Sequence, residues 1–394
     1  MKSKNKLTYD KAIDLLHQVA SPNGFLASAV NTTNYKRVWA RDGIICGLAA
    51  LASGDKKLIV AFKKTLETLA EHQHSTGTIP SNVMISKYNT EVSYGGLAGR
   101  VDAVTWFVIG VCQYAFCKDD RSFVSQHNSV IEKCLDLLDS WEFNNKHLLY
   151  VPLSGNWADE YITDGYILYD QLLRIWALKS YNHFVRSEAI SDKIQYITQQ
   201  IEINFFPDSE GEKYHERAYK ELTFNDYMPC SFSPSGYKNK FDAFANSLAV
   251  LLNIGTVTFQ KNILKYSKNL ASDTDLGLLP AFWSPIFDTD EDWNLLKKNY
   301  KYDFRNYPYE FHNGGSWPMV NGFFGLALLA KSEEKESEAI LEKINQANAV
   351  ASFSFYENFN TKTTQPNGVP YCAWSAAATI LLHQSLYNNF KMLV

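Results

Sequence analysis

The fold class that this sequence predicts is all-α, in the form of a closed ring of helical hairpins, an (α/α)6 toroid. Three observations predict it. Apolar residues recur at three- and four-residue spacing through about twelve segments, and no strand-like alternation persists beyond a few residues. Segments that are apolar nearly all round also alternate with amphipathic, charged ones. A helix that is apolar on every side is buried on every side, so such alternation calls for inner and outer helices in turn. In a ring of this kind, the loops at one end of the inner helices surround a cleft.

Taken in order, YDKAIDLLHQVA opens the series as an amphipathic helix. DGIICGLAALAS is apolar throughout and reads as an inner helix, and KKLIVAFKKTLETLAEHQ, with lysines on one face, reads as its outer partner. Next come DAVTWFVIGVCQYAF, SVIEKCLDLLDSWEF, GYILYDQLLRIWALKSYNHFV, SEAISDKIQYITQQIEINFF, DAFANSLAVLLNIG and FQKNILKYSKNLAS. VNGFFGLALLAKSE and CAWSAAATILLHQSLYNNF are again apolar all round, with the charged KESEAILEKINQANAVAS between them. No Pro/Gly/Ser-rich linker divides the chain and no phrase repeats at a fixed length, so residues 1–394 read as one domain rather than a solenoid.

Composition narrows the function. With 38 Lys+Arg against 42 Asp+Glu the net charge is −4, which argues against nucleic acid or an anionic membrane as the main partner. The longest apolar runs fall short of a bilayer-spanning length, and the basic N-terminus is not followed by an apolar signal core. Cys46, Cys112, Cys117, Cys134, Cys230 and Cys372 are scattered in apolar surroundings and read as free thiols of a cytoplasmic protein. No metal or cofactor is expected: the closest histidine pair, His72 and His74, reads as a helix end, and no P-loop, dinucleotide fingerprint or nucleophile elbow is present.

The outlier is aromatic content, 14%, with many rings set beside Asn, Asp and Gly in loops such as GNWADEY, AFWSPIFD and NYPYEFHNGGSW. Aromatic faces stack on the C–H faces of sugar rings while Asp, Asn and Arg bond the hydroxyls, so the mixture suits a small saccharide. Hydrolysis of a glycosidic bond needs one carboxylic acid and one carboxylate on opposite sides of it. Asp42, Asp102, Asp159, Glu160, Asp164 and Glu357 are the acidic residues at helix-end loops, where each could equally be a helix cap or a solvated charge. In HNGGSWP, the two glycines are expected to let backbone approach the cleft, with Trp317 as a wall and His312 facing it.

The phrases NYKRVWARDG, TGTIPSNV, GRVDAVTWFV, GNWADEYITDGYILYDQLLRIWAL, FDAFANSLAVL, FHNGGSWP and YENFN…CAWSAAATILL run in an order that resembles the (α/α)6 glycosidases. Among these the sequence is most similar to the amylo-α-1,6-glucosidase domain of glycogen debranching enzyme and to the neutral/alkaline invertases, and more distantly to glucoamylase. The likeness runs from about residue 22 to the C-terminus. It implies Asp159 as general acid, with Glu160 one residue away as the fallback, and Glu357 as general base. It implies Arg41 and Asp42 as a pair gripping hydroxyls of the terminal sugar, with Trp39, Trp157, Asp102, Glu160, His312 and Trp317 as further contacts. Asp242 and Asn246 are expected to brace the loops from inside. YENFN departs from the invertase form of the last motif, which leaves sucrose open as substrate.

The expectation is therefore an exo-acting, inverting glycoside hydrolase that removes a terminal sugar, most simply an α-glucosyl unit, from a small saccharide. A sucrose-hydrolysing invertase is the alternative. A sugar epimerase would need two facing histidines, and a non-catalytic sugar-binding protein would lack one of the acids. Linkage, aglycone and oligomeric state are not legible in the sequence.

Overall fold

The computed structural model describes residues 3–394 and is dominated by helices. Six of them form an inner ring: Ala40–Ser53, Asp102–Lys118, Leu168–Val185, Ala243–Leu251, Pro318–Ala330 and Ala373–Asn388. Each packs against the next in that order, and Ala373–Asn388 packs back against Ala40–Ser53, which closes the ring. The outer helices Ser3–Val19, Lys56–Glu71, Asn128–Ser140, Glu188–Phe205, Val257–Ser272 and Glu334–Asn348 each lie against an inner one. This is the expected (α/α)6 toroid, and the division follows sequence character. Inner helices are buried nearly throughout, whereas Lys56–Glu71 buries one stripe and leaves Lys56, Lys57 and Lys64 exposed. Trp106, Phe244 and Phe323, from three different inner helices, meet at the ring's centre.

The strands have no counterpart in the sequence pattern. A hairpin, Pro229–Ser233 with Gly236–Asp242, is extended into a four-stranded sheet by Tyr166–Ile167 and Phe282–Trp283. A second sheet joins Val38–Trp39, Asn82–Ile85 and Thr90–Ser93. Three of these strands end where an inner helix begins, at Trp39, Ile167 and Asp242, and Trp317 and Cys372 enter their helices in the same extended conformation. The sheets and single bridges such as Ser28 to Cys372 and Ser316 to Phe359 tie one entry loop to the next. They make a stiff collar at the N-terminal end of the inner helices, and the collar carries the cleft.

All six cysteines are free, and no helix among the described residues is long and apolar enough to cross a membrane. His72 ends the Lys56–Glu71 helix, its ring nitrogen on the Thr68 carbonyl.

Candidate active site

A cleft of about 690 Å³ opens in the collar. Its wall includes Trp39, Arg41, Asp42, Trp157, Asp159, Glu160, His312, Trp317 and Glu357, residues that are spread over more than 300 positions of the chain. Among the described residues, no group of three or more His, Cys, Asp or Glu side chains is placed to hold a metal ion.

One end of the cleft is built on the Ala40–Ser53 helix. Asp42 is not an N-cap: the cap position is Trp39 and no side chain fills it. The Asp42 carboxylate is buried, one of its oxygens has no hydrogen-bond partner, and burial raises its pKa against the pull of Arg41. Arg41 lies with its guanidinium 5.2 Å above the Trp374 ring, donates to Asp102 at 3.0 Å and stands 3.7 Å from Asp42. Asp102 was expected as a sugar contact. Asp102 is absent from the cleft wall and fully buried behind Arg41, where it also accepts from the Tyr169 hydroxyl at 3.3 Å.

The catalytic candidates line the same cleft. Glu357 is 4% exposed, accepts from the Tyr35 hydroxyl at 2.6 Å and lies 3.4 Å from the Val369 amide. Burial pushes its pKa up to about 7, with the Tyr35 hydrogen bond and the Arg305 charge opposing. Gly368, at φ +73°, makes room for it: a Cβ there would sit 2.4 Å from the Glu357 carboxylate. Asp159 and Glu160, adjacent in sequence, lie in different environments. The Asp159 side chain is 33% exposed and paired with Arg100 at 2.6 Å, and Arg100 is itself held by the carbonyls of Ala98 and Ser154. Glu160 is 2% exposed, and both its oxygens accept from the Arg305 guanidinium. Burial raises the Glu160 pKa despite that arginine.

NGGSWP behaves differently from its expected role. Gly314 and Gly315 serve the loop rather than an approach to the cleft: Cβ atoms would lie 2.9 Å from Pro285 at Gly314 and 2.5 Å from the Phe311 backbone at Gly315. The loop therefore doubles back on residues 309–311, with the Tyr309 amide on the Asn313 carbonyl. Trp317 does line the cleft, is only 2% exposed and donates to the Phe311 carbonyl, so it is wall and core plug together. His312 stacks flat on it, ring centroids 5.1 Å apart. Burial, then Arg305 and Arg41, hold the His312 pKa well below its ordinary value, so the ring is neutral. Asp242 and Asn246 brace from inside, as expected: Asp242 caps its helix at the Ala245 amide, and Asn246 clamps both backbone groups of Met228.

Sequence reasoning missed Tyr35, Arg100, Arg305 and Gly368. Tyr35 and Arg100 stand inside two of the phrases that carry the resemblance, NYKRVWARDG and GRVDAV, yet nothing local marks them as partners of Glu357 and Asp159, more than 50 positions away.

Comparison with known proteins agrees with this architecture. The family described as "Alkaline and neutral invertase" matches residues 220–389. A probable alkaline/neutral invertase A, chloroplastic, from Arabidopsis thaliana is 22% identical, over 93% of this chain and 68% of its own length. Over these stretches the chain is similar to the alkaline and neutral invertases. Solved structures share its fold. The GH63 mannosylglycerate hydrolase from Thermus thermophilus superposes with a TM-score of 0.69 at 11% identity, over 95% of this chain and 99% of that one. A bacterial glucoamylase complexed with acarbose gives 0.68 at 15% identity, over 98% and 56%. A rhamnosidase from Klebsiella oxytoca with rhamnose bound gives 0.65 at 12%, over 98% and 64%.

Proposed function

We propose that this chain is an exo-acting, inverting glycoside hydrolase, removing a terminal α-glucosyl unit from a small saccharide with Asp159 as general acid and Glu357 as general base. The observation that carries the reading is that both carboxylates line one cleft whose wall also holds the Arg41–Asp42 pair. Asp159 gives its proton to the glycosidic oxygen as the bond from C1 to that oxygen breaks. Glu357 takes a proton from a water whose oxygen attacks C1 from the other face, so the anomeric configuration inverts. Arg100, at 2.6 Å, stabilises the carboxylate that forms on Asp159 as the bond breaks. Exchange of the two protons with solvent resets the site.

Glu160 has the raised pKa that suits an acid, but its two oxygens are occupied by Arg305, while a third of the Asp159 side chain is accessible. Accessibility favours Asp159, with Glu160 and Arg305 as contacts to the sugar on the leaving side. An Asp159→Asn variant is expected to lose about 10²–10⁴-fold in kcat, the scale of general acid catalysis, and to regain much of it on a substrate whose leaving group needs no proton. Near-normal activity in that variant, with loss in Glu160→Gln, would transfer the role.

Sucrose is the second reading, supported by the match over residues 220–389 and by the plant relative. Reducing-sugar release from sucrose, maltose, isomaltose, trehalose and a glucosylglycerate, with the product anomer read by proton NMR, separates these substrates. Retention of configuration would end the inverting reading. A histidine-based epimerase is not favoured, because His312 is the only histidine in the cleft wall and is held neutral by its surroundings.

A further inference from the structure

A second pocket, of about 370 Å³, shares no residue with the cleft. Its wall joins Tyr150, Tyr166 and Tyr214 to Asn144, Lys146 and Ser233. The rings form one cluster centred on Tyr166, which meets Tyr150 edge-on at 5.3 Å, Tyr214 edge-on at 5.0 Å and Phe232 at 4.9 Å. All three tyrosines keep part of their surface open to solvent. The cluster is not simply a core that has reached the surface, because polar groups are interleaved with it. The Asn144 amide donates to the Tyr166 hydroxyl at 2.5 Å, and the Lys146 ammonium lies 5.6 Å from the Tyr214 ring centre and 4.0 Å from its nearest carboxylate, Glu212.

The position of the pocket adds to this. Tyr150 and Tyr166 stand at the base of one loop, closed by two backbone hydrogen bonds between Val151 and Gly165 of 2.7 and 2.9 Å. The far part of that loop carries Asp159 and Glu160 into the cleft. A ligand at the base would thus sit on the segment that bears the acid, outside the site where bonds are broken.

We infer that this pocket is a second saccharide-binding site, taking one neutral sugar ring at the base of the acid-bearing loop. Aromatic rings present a negative face, to which the polarised C–H bonds of a pyranose are attracted, while amide, ammonium and hydroxyl groups at the rim bond its hydroxyls. The volume is at the lower end of the range for small-molecule sites, enough for one ring but not for a long chain. Among the described residues no acidic side chain lines the wall, so a cationic ligand has no carboxylate partner there.

The inference does not depend on the reaction proposed for the cleft. Glu357→Gln protein, in which turnover is expected to be blocked and is checked to be absent by sugar release, is titrated calorimetrically with sucrose, maltose and isomaltose. The expected result with at least one of them is a weak binding event, with Kd on the order of 1–10 mM, that Tyr150→Ala in the same background weakens at least tenfold. Lys146→Ala, an exposed change that removes a donor without removing packing, is expected to weaken it about threefold and guards against misfolding of the first variant. In the otherwise unaltered enzyme, Tyr150→Ala is expected to leave kcat/KM on a small substrate within about twofold. An event unmoved by both variants belongs to the cleft and overturns the proposal, as does the absence of any weak event for all three sugars. Phenol binding that depends on Tyr150 where no sugar binds also overturns it, and shows an apolar pocket. A failed activity assay with an intact Tyr150-dependent event would count against the reading of the cleft alone.

Discussion

Removing the Tyr35 hydroxyl tests the assignment of Glu357 through its ionisation. A general base must be a carboxylate, and burial has pushed the Glu357 pKa up to about 7, so the acid limb of kcat/KM is expected to climb with pH through about 7. Tyr35 donates to Glu357 at 2.6 Å, which favours the charged form. A hydrogen bond to a charged group is worth about 1.5–3 kcal/mol, and one pKa unit is 1.36 kcal/mol, so Tyr35→Phe should raise the pKa by about one to two units. The sign follows directly: a higher pKa leaves less carboxylate at a given pH. The acid limb of kcat/KM moves up to about pH 8–9, activity at pH 6 falls about 10–100-fold below the wild type, and the two curves approach each other on the alkaline side. The assay is a kcat/KM profile at constant ionic strength for both proteins. An acid limb that stays in place, or a drop of equal size at every pH, would refute Glu357 as the ionising base and leave Tyr35 a packing residue.

Glu357→Gln, though inactive, should be more stable than the wild type at pH 8. The native pKa of about 7 against 4.5 in the unfolded chain gives stability that is complete below pH 4.5 and lost as pH rises through 7. Those 2.5 units amount to about 3 kcal/mol, so the melting-temperature difference should shrink toward zero at pH 4. Asp42→Ala should lower kcat/KM about 100-fold with little change in melting temperature, since Arg41 keeps Asp102 at 3.0 Å; unchanged kinetics with a lower melting point would remove Asp42 from the pocket. Gly315→Ala should cost about 1–3 kcal/mol by thermal or denaturant unfolding, because the atoms 2.5 Å from the new Cβ are Phe311 backbone and cannot swing aside.

What the sequence disclosed follows from range. The toroid was legible because an all-apolar segment such as GFFGLALLA and a charged one such as KESEAILEKINQ each declare their place without reference to any other part of the chain. The collar was not. Its strands run from two to seven residues, too short for alternation to register, and their pairing joins positions as far apart as Tyr166 and Phe232. The surroundings of Asp102 were hidden for the same reason. Its helix-end position offers it to a ligand or to a neighbour alike, and the neighbour that claims it is Arg41, 61 positions earlier.

The collar also explains how consecutive acids acquire different fates. Asp159 and Glu160 stand in the turn that follows Trp157, and Trp157 is fixed among Phe244 of an inner helix, Phe282 of a collar strand, and His312 and Trp317 of the loop before the Pro318–Ala330 helix. With that ring immobilised, the backbone just after it has little freedom to choose where each carboxylate points. Arg100 and Arg305 then meet them one each, from segments that begin two different stretches of the chain. Which carboxyl stays accessible is in this sense a property of the collar rather than of the phrase NWADEY, and exchanging the two residues would not exchange their surroundings. The double variant Asp159→Glu, Glu160→Asp is accordingly expected to keep its accessible carboxyl at 159. Its activity should still be abolished by a further change of that residue to Gln.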